Sequence, residues 1–197
     1  PSTLQVGGTP MSIKDTMFKT ELLTRHGIGR LIEDASKQPA GKIALYNTDA
    51  WLHHFTTRQS VTESRGLNLD SYNEYRKAVK LPPKKSFAQI SPDRRVQADL
   101  RRLYGKVDDV ELYAGLYAEE PIRGSVVPEL MGVMVGIHAF SQLMTSPLLA
   151  PEVYNEATFS PAGMEMIRST GSLATVVNRN PRGGKHYVSL TRRDWPQ

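Results

Sequence analysis

The longest apolar run of the chain, Val127 to Met144, constrains its fold most strongly. It reads "VPELMGVMVGIHAFSQLM" and contains two glycines and three methionines. At helical spacing its apolar residues fall on two sides of the helix, with Leu130, Val133, Met134, Ile137 and Met144 on one and Met131, Val135, Ala139 and Leu143 on another. A helix that is apolar nearly all round is expected to be buried.

The same run does not favour a membrane span. Glu129, His138, Ser141 and Gln142 interrupt it, and its apolar part barely reaches the length that a bilayer requires. For His138 we predict a satisfied, buried or partly buried polar group.

Gly132 and Gly136 lie four residues apart and leave a groove along one stripe of this helix. Either a second helix or a ligand could approach the backbone there, and the methionines would fill irregular space on either interpretation. From the pattern alone, tight helix packing is favoured over a ligand wall.

Hydrophobic periodicity and Gly/Pro punctuation predict an all-α, mostly helical chain with at most a short strand near the C-terminus, where "KHYVSLTRR" alternates well enough for a strand or an extended arm. The N-terminal quarter predicts a helix capped by Ser12, a break near Gly27 and a second helix. Ser91-Pro92-Asp93 is expected to initiate a further helix, which Gly105 ends. The stretch "TSPLLAPEVYNEATFSPAG" is expected to be a loop before a final short helix. No linker or repeat is visible, so residues 1–197 are interpreted as part of one domain.

Charge and cysteine content exclude several classes of site. The net charge of +5 is scattered in short clusters beside acidic residues, which disfavours a nucleic-acid groove. The chain has no cysteine, so it has no disulfide, thiolate metal site or cysteine nucleophile. It opens at Pro1 without an initiator methionine or signal peptide, as expected of a cut piece.

The polar motifs give only weak evidence for a metal, acid–base or phosphate-binding site. The adjacent His53 and His54 point about 100° apart on a helix and do not readily share a metal. The pairs Asp108–Asp109 and Glu119–Glu120 are expected to be a solvated face. The glycine-rich "NPRGGKHY" is expected to be a turn rather than a phosphate loop.

Four segments nevertheless carry a family resemblance: "TMFKTELLTRHGIGRLIEDASKQPAGKI", "ESRGLNLDSYNEYRKAVKLPPKKSFAQI", "LRRLYGKVDDVELYAGLYAEE" and "SPLLAPEVYNEATFSPAGMEMIRSTGSL". In order and almost without gaps they resemble the C-terminal part of the catalytic domain of cyclooxygenases, within the animal-type haem peroxidase superfamily. Where related peroxidases and plant alpha-dioxygenases carry an Asp-Arg-Phe element, this chain reads "TSPLLAPEVYNEATF", which is similar to the cyclooxygenase version.

The resemblance implies part of a haem-dependent oxidoreductase that inserts dioxygen into polyunsaturated fatty acids by a tyrosyl-radical mechanism. It implies haem as cofactor, and fatty acid, dioxygen and peroxide as partners. The alternative that stays open is a haem peroxidase that uses small-molecule reductants. A third hypothesis, of a different functional class, is a basic helical binding module without catalytic activity.

The family's proximal histidine and radical tyrosine form a Tyr-x-x-His motif, which is expected just before Pro1. The haem ligand is therefore expected outside this chain, no residue here is assigned as catalytic or metal-binding, and the chain alone is expected to be inactive. Tyr113 matches the family tyrosine that contacts the proximal histidine, where such partners tune the iron. Thr56 and Gln59 match positions beside the haem.

The resemblance also assigns substrate-binding positions along the apolar run, which are Val127, Met131, Gly132, Val135, Gly136, Ala139, Phe140 and Leu143. Ala139 takes the place of the serine that aspirin acetylates, so acetylation is not expected there. Gly132 replaces a branched aliphatic residue, which should widen the channel.

The chain departs from the animal members of the family in having neither cysteine nor an Asn-x-Ser/Thr acceptor. A microbial relative, cytoplasmic or peripheral to a membrane, is therefore preferred. The N-terminal part of the same protein is an expected partner. A homodimer and membrane contact, both through parts outside this chain, stay open.

Overall fold

A computed structural model describes residues 3–180 and 184–191. Within them the chain is mostly helical, as predicted, and has one two-stranded antiparallel sheet. The strands are β1 (Thr3–Val6) and β2 (Thr9–Ser12). The helices are α1 (Ile13–Thr16), α2 (Glu21–His26), α3 (Ile28–Ser36), α4 (Arg58–Gly66), α5 (Tyr72–Ala78), α6 (Phe87–Ile90), α7 (Arg94–Tyr104), α8 (Leu112–Ala118), α9 (Glu129–Met144), α10 (Glu156–Ser169) and α11 (Leu173–Arg179).

The chain divides into two compact units. Unit 1 comprises Pro1–Ala40 and Thr145–Gln197, and unit 2 comprises Gly41–Met144. Unit 2 therefore contains α4 to α9 and, before α4, a 3-10 turn (Ala50–Leu52) and a π-helical turn (His53–Thr57). A further 3-10 turn in unit 1 covers Pro147–Leu149. The interpretation of residues 1–197 as part of one domain stays a prediction.

The sheet lies at the N-terminal end and not near the C-terminus, where at most a short strand was predicted. Its strands pair through a two-residue Gly7-Gly8 turn, in which both glycines have positive φ (59° and 87°). Such a turn matches the twist of two antiparallel strands and requires residues that tolerate positive φ. The Gly7 N–H also donates to Asp34 Oδ2 at 2.8 Å, which joins the hairpin to α3.

Of the two alternatives left open for the C-terminal tail, the strand does not form in residues 184–191, and the last two residues of the tail lie outside the described part. The side chain of Asn178 provides the reason. Its Nδ2 donates to the backbone oxygen of His186 and its Oδ1 accepts from the His186 N–H, both at 2.8 Å. A side-chain amide therefore satisfies the backbone groups that a strand partner would take. Of the expected turn "NPRGGKHY", residues 181–183 also lie outside the described part.

The expected loop before the final helix is also corrected, because α10 begins inside it. Asn155 caps the helix by accepting from the Thr158 N–H at 3.0 Å. The helix accommodates Pro161 because Ser160 leaves the helical conformation, with a φ of 63°. The cap at Asn155 and the non-helical conformation of Ser160 thus allow a helix to form although the proline predicts a break.

Two other predictions from local signals are confirmed. Ser12 caps α1 by accepting from the Asp15 N–H, and the chain breaks at Gly27, whose φ is 77°. The helix predicted between them is interrupted, because α1 ends at Thr16, Phe18 has a φ of 58° and α2 begins only at Glu21. In unit 2, Asp93 caps α7 by accepting from the Arg95 N–H, and Gly105 ends the helix with a φ of 72°.

The core of unit 2 forms around the contact between α5 and α8. Its buried members are Tyr72, Phe87, Ile90, Val96, Leu100, Val110, Leu112, Ala118 and Leu130. Gly115 of α8 lies directly against the ring of Tyr72, which is fully buried. A Cβ at position 115 would overlap that ring, so this glycine permits the close approach of the two helices.

Replacing Gly115 with alanine is expected to destabilise the protein by about 1–3 kcal/mol, because a core that is already filled must shift to admit the methyl group. Thermal or urea unfolding followed by circular dichroism measures the change. Gly66 is the matched control, since an added Cβ there meets no atom of the described residues within 4 Å. Gly66→Ala should leave stability unchanged or slightly raised, and equal losses in both variants would contradict the account.

Candidate functional site

The apolar helix α9 is far less buried than its sequence predicted. Only Leu130 is buried, the residues from Val127 to Met134 are otherwise mostly half-buried, and the C-terminal half is largely exposed, with Phe140 at 67%. The prediction of burial all round is therefore wrong for the described chain. The physical reason is that the core of unit 2 receives only the first turns of the helix, through Leu130 and Met134. His138 is likewise exposed and not buried or partly buried, because it lies in the uncovered half.

The eight predicted substrate-binding positions differ in exposure, which increases towards the C-terminal half of α9. Val127, Met131, Gly132 and Gly136 are half-buried, whereas Val135, Ala139, Phe140 and Leu143 are exposed. They share one helix and its immediate N-terminal flank, and together they form a partly exposed apolar surface. Exposed apolar patches of this kind typically mark a site for a ligand or for another protein surface.

The glycine stripe of α9 is open in the described part of the chain. A Cβ added at Gly132 would meet only Val127, at an ordinary 3.6 Å, and one added at Gly136 would meet nothing within 4 Å. Neither glycine is thus required for packing against another described element, which was the interpretation that the pattern alone favoured.

No helix among residues 3–180 and 184–191 combines the length and the apolar character needed to cross a bilayer. For α9 this agrees with the sequence prediction, since the helix has only 16 residues.

A buried ionic cluster holds the start of α9. Arg76 of α5 donates from Nη1 to Glu119 Oε1 at 2.5 Å and from Nη2 to Glu129 Oε2 at 2.8 Å. Glu119 Oε2 accepts from the backbone N–H of Leu130 at 3.0 Å. Lys84 Nζ lies 3.6 Å from Glu119 and 3.9 Å from Glu129. The hydrogen bond from Arg76 holds the pKa of Glu129 below its ordinary value.

Sequence reasoning missed this cluster and assigned Glu119 to a solvated face. Glu119 is buried, whereas its neighbour Glu120 is exposed, as expected. A signal was available in "YNEYRK", where the periodicity places Arg76 on the same side of α5 as Tyr72, four residues earlier. An arginine on a buried face requires an acidic partner.

Tyr113, which is predicted to lie beside the haem, is on α8, close to a second group of hydrogen bonds that holds the start of this helix. Its half-buried ring packs against that of Tyr117, with the centroids 4.8 Å apart. The residue just before α8, Glu111, accepts from Arg65 Nε at 2.6 Å and from the hydroxyl of Tyr104 at 2.8 Å. Hydrogen bonding by Arg65 lowers the pKa of Glu111, whereas burial raises the pKa of Tyr104. At neutral pH, Glu111 is therefore a carboxylate that accepts from a neutral tyrosine hydroxyl.

The other two predicted haem-side residues lie around the junction of the π-helical turn and α4. Thr56 and Gln59 are both exposed, and both engage their own helical segment: Thr56 Oγ1 donates to Leu52 O at 2.9 Å and Gln59 Nε2 to Glu63 Oε1 at 2.7 Å. Because α4 contacts α8, the elements that carry Gln59 and Tyr113 pack together. π-Helical turns occur frequently at functional sites.

The three side chains predicted to lie beside the haem fit hydrogen bonds to a haem or to its ligand. Thr56 and Tyr113 offer hydroxyl groups and Gln59 offers an amide. In the part of the chain that the structure describes, no three His, Asp or Glu side chains are grouped to hold a metal. One additional donor was missed by sequence reasoning: the indole N–H of Trp51, just before the π-helical turn, is buried and has no hydrogen-bond partner among the described residues. Such a group is rare in native proteins and marks a place where a polar acceptor would be favoured.

Comparisons with known proteins bear on these helices. The family model "Animal haem peroxidase" matches residues 3–190. Prostaglandin G/H synthase 2 of Gallus gallus is 30% identical over 184 residues, which are 93% of this chain and 30% of that protein. Fatty acid alpha-dioxygenase of Arabidopsis thaliana is structurally similar with a TM-score of 0.79 at 22% identity, over 91% of this chain and 33% of that one. Peroxidase A from Dictyostelium discoideum has a TM-score of 0.73 at 21% identity, over 96% and 38%.

These comparisons confirm the family resemblance and the fold class. The chain spans about a third of the length of the three proteins. The two structural similarities, at such low identity, concern the fold alone. The roles predicted for individual residues remain predictions.

Replacing Glu111 with glutamine is expected to lower stability by about 1 kcal/mol at neutral pH, because Arg65 and Tyr104 lose a charged acceptor. A carboxylate whose pKa is lowered by folding stabilises the protein above its unfolded pKa, and this stability is lost as the pH falls through the folded pKa. The variant should therefore lose less stability than wild type between roughly pH 5 and pH 3, as measured by urea unfolding at several pH values.

The control is Glu120→Gln, which breaks an ion pair with Lys42 whose two side chains are about half exposed. A surface pair contributes little, so this variant should follow the wild-type pH profile. Identical profiles for the Glu111 variant and wild type would contradict the assigned role.

Proposed function

The chain belongs to the animal haem peroxidase family, and on that premise we propose that it is part of a haem-dependent enzyme that inserts dioxygen into polyunsaturated fatty acids. In this proposal α9 forms one wall of the acyl channel. The segment from the π-helical turn through α4, together with α8, forms one side of the haem environment.

One observation carries the proposal: α9 is an apolar helix whose glycine stripe and C-terminal half are uncovered in the described chain. A 16-residue helix extends about 24 Å, and an acyl chain requires a long wall of this kind without hydrogen-bonding groups. Methionines at Met131 and Met134 suit such a wall because their flexible side chains adapt to different chain shapes. The similarity to proteins named prostaglandin G/H synthase and fatty acid alpha-dioxygenase supports the same substrate class.

Tyr113 is proposed to contact the axial ligand of the haem, and Thr56 and Gln59 to lie beside the macrocycle. When bound, the haem supplies the redox chemistry, whereas the polypeptide sets orientation and excludes water. The anchoring of Glu111 by Arg65 and Tyr104 supports this role for Tyr113, because it fixes the start of α8 two residues earlier. The axial histidine and the radical tyrosine are proposed to lie in another part of the protein.

At two positions α9 is proposed to differ from the cyclooxygenases that it resembles. Ala139 offers no hydroxyl, so acetylation by aspirin is not expected there. Gly132 leaves the wall open, since a Cβ added at that position would meet, among the described residues, only the Val127 side chain, at an ordinary contact distance. Hydroperoxides or other oxylipins fit such a channel as well as prostaglandins do.

Oxygen uptake by the full-length, haem-loaded protein tests the proposal. A panel of polyunsaturated fatty acids should cause oxygen consumption and yield oxygenated products identifiable by mass spectrometry. Peroxide consumption with a phenolic reductant, without oxygen uptake on any fatty acid, would instead favour a haem peroxidase with small-molecule reductants.

Gly132→Ile is expected to shift the position of oxygen attack or the preferred acyl length, because a branched side chain narrows the channel at one point. Positional analysis of the hydroperoxides by chiral chromatography and mass spectrometry measures the shift. Gly171→Ile is the control, because it places the same side chain between α10 and α11, where an added Cβ meets no described atom within 4 Å. Unchanged products from the Gly132 variant would contradict a channel-facing position.

A further inference from the structure

Glu119 connects three helices through one carboxylate. It follows the last residue of α8, and its Oε1 accepts from Arg76 Nη1 of α5 at 2.5 Å. Its Oε2 accepts from the backbone N–H of Leu130 in the first turn of α9 at 3.0 Å. The two oxygens therefore hold two different elements and leave little freedom for the start of α9.

The burial of this carboxylate restricts the positions that its hydrogen-bond partners can take. The side chains of Glu119 and Arg76 are only 3% and 1% exposed, so neither group has water as a replacement partner. Removing one partner of a buried ion pair leaves an uncompensated charge, which is strongly unfavourable. A negative charge at the N-terminus of α9 also complements the helix dipole.

The second acidic contact to Arg76 is a weaker constraint. Glu129 begins α9 and accepts from Arg76 Nη2 at 2.8 Å, but its side chain is 41% exposed. Water can replace that interaction in part. Among the described contacts to the start of α9, the one made by Glu119 is thus both buried and directed at the backbone.

Leu130, which Glu119 holds, directly precedes the apolar wall. Its side chain is fully buried in the core of unit 2, and the proposed wall continues at the next residue, Met131. Because a helix advances 1.5 Å and turns about 100° per residue, a small change at its first turn moves every side chain further along.

We propose that Glu119 is a positioning residue for fatty-acid oxygenation: it fixes the start of α9 and thereby the carbon of the acyl chain that is presented for attack. This inference rests on the proposed function, since it takes α9 as the channel wall. Glu119 does not touch the substrate and acts through the backbone of α9.

Two measurements on the full-length, haem-loaded protein test the inference with Glu119→Gln. Hydrogen–deuterium exchange should become about tenfold or more faster at the first-turn amides of α9, as expected when a hydrogen bond to a charged group is lost. The ratio of positional products should change by about threefold or more, because displacement of a reacting group by 1 Å can alter rates by up to about 100-fold.

Two controls separate positioning from loss of stability. Glu120→Gln removes the neighbouring, exposed carboxylate and should leave both readouts unchanged. Val96→Ala removes buried methyl groups from α7 in the same core, and should lower stability without changing the product ratio. If Glu119→Gln does not fold, Glu119→Asp is used, because it keeps the charge and is one methylene too short to hold both partners.

Faster exchange at the start of α9 together with altered products is the expected result. Unchanged exchange at those amides overturns the anchoring role. Faster exchange with unchanged products, or the same product change in Val96→Ala, overturns the control of product position. If the wild-type protein takes up no oxygen with any fatty acid, the proposed function and the effect on products both fail, and the exchange data still decide whether Glu119 anchors α9.

Discussion

The buried ion pair between Arg76 and Glu119 is the interaction on which the architecture of unit 2 depends. Two opposite charges withdrawn from water are tolerated only when their geometry is fixed and their remaining hydrogen-bonding groups are satisfied. Here Arg76 also donates from Nε to Pro82 O at 2.8 Å, and Glu119 accepts from Leu130. Each of these bonds reaches a different segment. Three helices thus meet at one charged pair. Its directional hydrogen bonds define the relative positions of these helices more narrowly than apolar packing would.

The same anchor accounts for the contrast within α9. Its first turn is held by charge and by burial of Leu130, whereas its second half exposes apolar residues beside His138, Ser141 and Gln142 in the described chain. A helix fixed at one end can present a long apolar face in a defined direction without packing along its length. This combination suits a wall for an acyl chain, which requires a precise position but offers no polar group for recognition. It also explains why the open stripe at Gly132 and Gly136 is compatible with an ordered helix.

Sequence reasoning succeeded where the determining interactions are local. The helix α7 begins at the predicted segment Ser91-Pro92-Asp93 and ends at Gly105 as predicted, because capping depends on residues only a few positions apart. The hairpin at Gly7 was equally local but was missed, because helical periodicity was followed through the residues after it. Glu119 could not be placed from its neighbours, since its partner Arg76 lies 43 residues earlier. The exposure of α9 was unpredictable for the same reason: apolarity predicts that a surface will be covered and does not indicate by what.

A crystal structure of the full-length, haem-loaded protein with a bound polyunsaturated fatty acid tests the central claim most directly. The account predicts that acyl carbons lie in van der Waals contact with the stripe of α9 that contains Gly132 and Gly136, and that Glu119 still bridges Arg76 and the Leu130 N–H. An acyl chain bound elsewhere, with this stripe of α9 covered by protein side chains, would contradict it.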